Sequence, residues 1–270
     1  MIGLLSALLA TLLFSINAPI AYAASRRGAS PQALVALRNL VALAVLLPLA
    51  DFRISGTALG VVLLSALLGP GLGDYSYFKA MAQSGVATAI TVGYTYVFTA
   101  QFFSWLLGVE RLKVGTALGA VLAFAGLYIA LGGRPRGLGV LYGAFASLSW
   151  GLASVLLGVA SKEATPFTVA VVRSALLVPL FAPFSKLQGL RKEGLLYAAL
   201  SGVVGLALGS VFFIYAISQI GVAATVIATS LTPILSQIFD RAINKTKISP
   251  KYILGASLVS SGIALSVMTN

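Results

Sequence analysis

Apolar runs of about the thickness of a membrane follow one another along the whole of this 270-residue chain, with only a few polar residues between them. They fall at about 2–24, 32–50, 57–83, 85–107, 112–132, 138–160, 166–183, 193–219, 221–243 and 249–268. The breaks are short: Ser25-Arg26-Arg27-Gly28, Asp51-Phe52-Arg53, Glu110-Arg111-Leu112-Lys113, Gly132 to Arg136, Lys162-Glu163, Lys186 to Glu193 and Asn244 to Lys247. Inside lipid every backbone N–H and C=O must find a partner within the protein, which leaves helices or closed barrels. These runs are too long for barrel strands and lack their alternation. The expected fold is therefore all-α and integral to the membrane, with ten transmembrane helices. Composition agrees, since 9% of residues are charged where a soluble domain carries about 25%.

The charge balance and the missing residue types narrow the function. The net charge is +12, but the bases cluster at the ends of apolar runs, as in membrane proteins rather than nucleic-acid binders. With no Cys and no His, disulfides, Cys/His metal sites and histidine-based catalysis are not available. The acids Asp51, Asp74, Glu110, Glu163, Glu193 and Asp240 are scattered rather than paired, which argues against an enzyme; no cofactor is expected. Ala21-Tyr22-Ala23-Ala24 resembles a cleavage site, but no basic residue precedes the apolar run, so residues 2–24 read as a retained first span. Thr91-Val92-Gly93-Tyr94-Thr95 nearly spells a potassium filter, yet it lacks the last glycine and lies within a full-length span.

The chain repeats itself. Gln83-Ser84-Gly85-Val86-Ala87 corresponds to Gln219-Ile220-Gly221-Val222-Ala223 at an offset of 136, as do Gly73 and Gly209, Gln101 and Gln237, Gly119 and Gly255, and Gly126 and Gly262. Upstream, Pro31 pairs with Pro166 and Arg38 with Arg173 at an offset of 135. Two five-span repeats follow, 1–133 and 137–270. An odd span count makes the second enter the membrane from the opposite face, the inverted-repeat design that serves a midplane site by alternating access. The third and eighth runs are interrupted at corresponding places by Gly69-Pro70-Gly71-Leu72-Gly73 and by Gly202, Gly205 and Gly209, another pointer to a transport site.

With these motifs in place the chain resembles the drug/metabolite transporter superfamily, in particular its EamA-type ten-helix members. The resemblance rests on the duplicated unit and on the Ser30-Pro31-x6-Arg38 opening repeated as Thr165-Pro166-x6-Arg173. Tyr77-Phe78-Lys79-Ala80 leading to Gly85-Val86-Ala87, and Gly108-Val109-Glu110-Arg111-Leu112, add to it. It departs from the family at Val97, where a proline is common in the fourth span, although Pro233 is kept in the ninth, and at Thr246, which stands opposite Glu110. The resemblance implies a secondary transporter of small organic metabolites, amino-acid-like or amphiphilic and aromatic, working as exporter or exchanger. It implies a cavity walled by spans one, three, four, six, eight and nine. A lipid-linked flippase and an uncoupled facilitator are the alternatives.

Candidate site residues follow from depth. Asn17, Tyr75, Tyr94, Trp150, Phe212, Tyr215 and Ser230 are polar or aromatic and sit within spans, where an aromatic cage with a few hydrogen-bonding groups would hold a solute. Ordinary helix packing is the alternative for each. Lys79 and Asp74 are ionisable at membrane depth and so candidates for function: Lys79 for substrate, Asp74 for proton coupling with Lys79 tuning it. Otherwise Lys79 snorkels to the interface and Asp74 caps backbone freed at the Gly-Pro-Gly break. Arg38 and Arg173, about 10 Å into their spans at 1.5 Å per residue, suit a structural role near the interface, as does Pro233 within its helix. Small-residue patterns such as Gly115-x3-Gly119 allow close helix contact within a monomer or in a homodimer. Eleven bases lie in loops leaving odd-numbered spans and four in loops leaving even-numbered ones; the positive-inside rule then puts both termini outside a cell membrane.

Overall fold

In a computed structural model the described residues are 1–131, 137–244 and 251–269, and their regular structure is entirely helical. The first half comprises α1 (Ile2–Arg26), α2 (Pro31–Leu46), α3 (Gly56–Ala66), a π-helical turn (Leu67–Gly73), α4 (Asp74–Gly93), α5 (Tyr96–Leu106) and α6 (Val114–Leu131). The second half repeats that order with α7 (Gly139–Ala160), α8 (Pro166–Phe181), α9 (Lys192–Ser201), a second π-helical turn (Gly202–Gly209), α10 (Ser210–Thr229), α11 (Thr232–Asn244) and α12 (Lys251–Met268). The loops at Arg134, Arg136, Lys245, Thr246 and Lys247 lie outside the described residues.

Local chemistry explains the boundaries. The duplicated opening motif is a helix start: the Ser30 hydroxyl accepts from the Ala33 N–H at 3.2 Å and Thr165 from the Thr168 N–H at 3.3 Å. Pro31 and Pro166 occupy the first turn, where a missing N–H costs nothing. The two π-helical turns coincide with the glycine interruptions. Pro70 lacks a donor there and the small residues let the backbone widen. Pro233 is buried in the first turn of α11, so it starts a helix rather than kinking one.

Six stretches among the described residues are long and apolar enough to cross a membrane: 2–26, 31–49, 56–84, 139–160, 166–184 and 192–229. The last has 38 residues, about 57 Å of helix against a hydrocarbon core of about 30 Å. It breaks at Gly221, whose φ of 81° and ψ of 171° take it out of the helix. Shorter apolar helices cover Val114–Gly126 and Ser257–Ser266. Large apolar side chains such as Leu5, Leu12, Trp105, Leu118 and Leu208 are exposed, as a lipid-facing surface requires.

Packing follows the repeat. Helix α1 lies on α10 and α7 on α4; α5 meets α7 and α11 meets α1; α9 packs on α1 and α3 on α7. Two of the larger contacts among the described residues join a helix to its own counterpart. In one, α2 lies on α8, with the Ser174 hydroxyl donating to Asn39 Oδ1 at 3.2 Å; the two residues are 135 apart, the spacing of the repeat. In the other, a Cβ on Gly119 would meet the Gly262 carbonyl at 2.6 Å and one on Gly126 the Gly255 carbonyl at 2.5 Å. So α6 and α12 run antiparallel and nearly touch backbone to backbone.

Candidate functional site

Between the halves lies a cavity of about 160 Å³, large enough for roughly one benzene ring and its substituent. Residues of α1 (Phe14, Asn17, Ala18, Ala21), α4 (Asp74, Tyr77, Phe78), α5 (Tyr96), α7 (Trp150, Ala153, Ser154, Leu157) and α10 (Ser210, Phe213) form most of its wall. Tyr94, Gly69, Pro70, Leu206, Arg38 and Arg173 complete it.

Asp74 is its electrostatic centre. It is the first residue of α4, delivered by the π-helical turn just before it. One carboxylate oxygen accepts from Arg38 Nη1 at 2.8 Å and the other from Trp150 Nε1 at 3.0 Å. Asp74 is 15% exposed and Arg38 4%, so water screens the pair little. Trp150 in turn anchors an aromatic cluster, its ring centroid 5.0 Å from Tyr77, 6.0 Å from Tyr96 and 6.3 Å from Tyr94. The Tyr96 hydroxyl hydrogen-bonds Thr229 across the halves. Asn17 accepts from the Ser201 hydroxyl at 2.6 Å, which fixes its amide beside the second π-helical turn.

Two glycines are needed because side chains lie on them. A Cβ on Gly73 would sit 2.5 Å from Trp150 Cδ1, and one on Gly69 would sit 2.5 Å from Arg173 Nη2. The Gly69-x3-Gly73 pattern thus makes room for two cavity side chains.

Of the residues singled out from sequence, Asn17, Tyr94, Trp150 and Asp74 come together in the cavity wall. Tyr75, Lys79, Phe212, Tyr215 and Ser230 do not. Tyr75 packs on Phe181, with centroids 6.3 Å apart. Phe212 packs against the core, Tyr215 is half-buried, and Ser230 is buried with its hydroxyl 3.4 Å from the Val226 carbonyl. The cavity instead uses Tyr77 and Phe213. Tyr75 and Tyr77 lie two residues apart on α4, about 200° around the helix, and Phe212 and Phe213 about 100° apart on α10, so a choice made by depth alone does not fix the face. Phe14, Phe78, Tyr96 and Ser154 were also missed; for Tyr96 the only trace was its place two residues after Tyr94.

One expectation about charge is corrected. Lys79 does not pair with Asp74: its Nζ lies 5.1 Å from the centroids of both Tyr75 and Tyr142, on a different face of α4 because five residues rotate a helix by about 140°. Arg38 and Arg173 are both buried and line the cavity. A guanidinium on a long flexible stem reaches well beyond the depth of its own Cα. Spans two and seven therefore join the cavity wall through these side chains.

Comparison with known proteins agrees with this architecture. The EamA-like transporter family model matches residues 1–132 and, a second time, residues 137–268. An uncharacterized transporter of Archaeoglobus fulgidus is 28% identical over 276 residues, covering 99% of both chains. Another uncharacterized transporter of that organism is 26% identical over 198 residues, covering 71% of this chain and 70% of its own. A crystal structure of a protein 21% identical superposes with a TM-score of 0.80, covering 98% of this chain and 96% of that one. The matched helices, the lipid-facing exterior and the two copies of the family unit lead to one assignment: this multi-pass membrane protein belongs to the EamA-like transporter family.

Proposed function

We propose that the protein is a secondary transporter of small organic metabolites that carries its solute through the central cavity by alternating access. The observation behind this reading is the cavity itself, walled by both halves, where the Asp74–Arg38 pair and the Trp150 cluster supply polar and aromatic contacts. In this reading ten spans form two inverted repeats. The antiparallel pairing of α6 with α12, equivalent helices in the two halves, supports it: a two-fold axis that exchanges antiparallel spans must lie in the membrane plane. The basic loops further support both termini lying outside a cell membrane, and in this reading, as the family resemblance implies, the protein works as exporter or exchanger.

The cavity accommodates a solute with an aromatic or amphiphilic body. Asp74 is the candidate proton-coupling group, because protonating it would release Arg38 and so link charge to conformation. Purified protein in proteoliposomes tests both levels. Solute flux that falls about ten-fold or more in Trp150→Ala supports the cavity as the route, as expected when a central aromatic contact worth ~1.4 kcal/mol is lost. Unchanged flux in that variant refutes it. Accumulation that responds to an imposed pH gradient in the wild type, but not in Asp74→Asn, supports coupling; indifference to the gradient leaves a facilitator.

A further inference from the structure

The two arginines of the cavity occupy equivalent places in the repeat but have different partners. Arg38 is neutralised by Asp74 at 2.8 Å. The residue equivalent to Asp74 in the second half is Ser210, 136 positions on, which lines the same cavity without charge. Arg173 is accordingly left without a carboxylate partner among the described residues. It is 7% exposed, its Nη2 makes one long hydrogen bond to the Ser65 carbonyl at 3.4 Å, and its Nε has no partner there. Both oxygens of Asp74 are already engaged by Arg38 and Trp150. Two guanidiniums and one carboxylate leave the cavity wall with one positive charge.

We propose that Arg173 is the anion anchor of the cavity, and that the preferred solute is a monoanion: a carboxylate on a body of about one ring. The proposal rests on the cavity being the solute site and adds the charge of the solute. A guanidinium held in an apolar wall is costly unless paired, and its planar fork suits a carboxylate, to which it can donate two parallel hydrogen bonds. The aromatic faces of Trp150, Tyr77 and Tyr96 lie in the same cavity to receive the ring. A cation would meet the net positive charge, and a neutral solute would leave Arg173 unpaired.

Three probes of one size and different charge test this: phenylacetate, phenylacetamide and 2-phenylethylamine, titrated into purified protein by calorimetry. The proposal expects phenylacetate to bind at least about ten-fold more tightly than either of the others. Arg173→Gln should erase that preference. So should Ser210→Asp, which places a carboxylate in the second half where Asp74 stands in the first and leaves Arg173 intact; it decides the matter if Arg173→Gln does not fold. Equal or tighter binding of the amide or the amine to the wild-type protein overturns the anchor, as does a preference that survives in Ser210→Asp. The cavity reading is judged separately: amide binding that is lost in Trp150→Ala upholds the cavity even if the charge preference is absent. Binding of all three probes unaltered by Trp150→Ala places them elsewhere and refutes the cavity as the site.

Discussion

At the scale of single residues, the protein holds its charges by specific partners. Asp74 and Arg38 are buried together, so removing either strands the other in a medium that solvates it poorly. Asp74→Asn and Arg38→Leu are each expected to cost about 3–5 kcal/mol of stability, and the double variant less than their sum. A double-mutant cycle of unfolding free energies in detergent measures this; additive losses would mean the pair is not coupled. Asp51, in the loop after α2, is a contrasting case. The Thr168 hydroxyl donates to it at 2.5 Å and, with smaller help from Arg53 N–H and Thr165, holds its carboxyl below the ordinary 3.8. A depressed value means the stabilisation is complete above about pH 4 and is lost as pH falls through the folded-state value. Melting temperature followed from about pH 5 to about pH 2 should therefore fall less steeply in Thr168→Val than in the wild type.

At the scale of elements, the breaks in the helices matter as much as the helices. Gly221 leaves the helical region with φ +81°, and the N–H groups of Val222 and Ala223 just beyond it donate to the Glu110 carboxylate at 2.5 and 3.1 Å. An acid from the loop before α6 thus caps a helix start in the other half. Glu110→Ala is expected to destabilise by about 1 kcal/mol, as other lost caps do. Gly221→Ala should cost more, at least about 1–2 kcal/mol for the left-handed backbone, because its Cβ would also sit 2.4 Å from Glu110 Oε1. Chemical unfolding of both variants checks the order. The helices themselves, their starts at Ser30 and Thr165 and the breaks at the glycine clusters were legible in the sequence, because apolar length, capping residues and glycine act locally. Which face of a helix meets the cavity was less legible. Tyr77 and Phe213 face the cavity where Tyr75 and Phe212, at nearly the same depth, do not, because depth along a span carries no information about which side of the helix meets the cavity.

At the scale of the molecule, two homologous halves meet along α2–α8 and α6–α12 and surround a charged, aromatic cavity between them. The α6–α12 seam depends on glycine carbonyls approaching where a Cβ would stand. Gly119→Val should therefore force the helices apart and cost about 1–3 kcal/mol, the usual price of overpacking, visible as a lowered melting temperature. The repeat also explains why the halves are unequal in chemistry. Symmetry supplies both arginines, and a single difference, Asp74 against Ser210, sets the charge of the cavity.

The opposed threading of the halves is the claim on which the transport account depends, and the absence of native cysteine makes it directly measurable. Arg26, the last residue of α1, and Lys162, in the turn after α7, are both exposed, and α1 and α7 are the equivalent first helices of the two halves. Single variants Arg26→Cys and Lys162→Cys, expressed in cells and treated with a membrane-impermeant maleimide, should label from opposite faces: Lys162→Cys in intact cells, Arg26→Cys only after permeabilisation. Labelling of both from the same side would contradict the account.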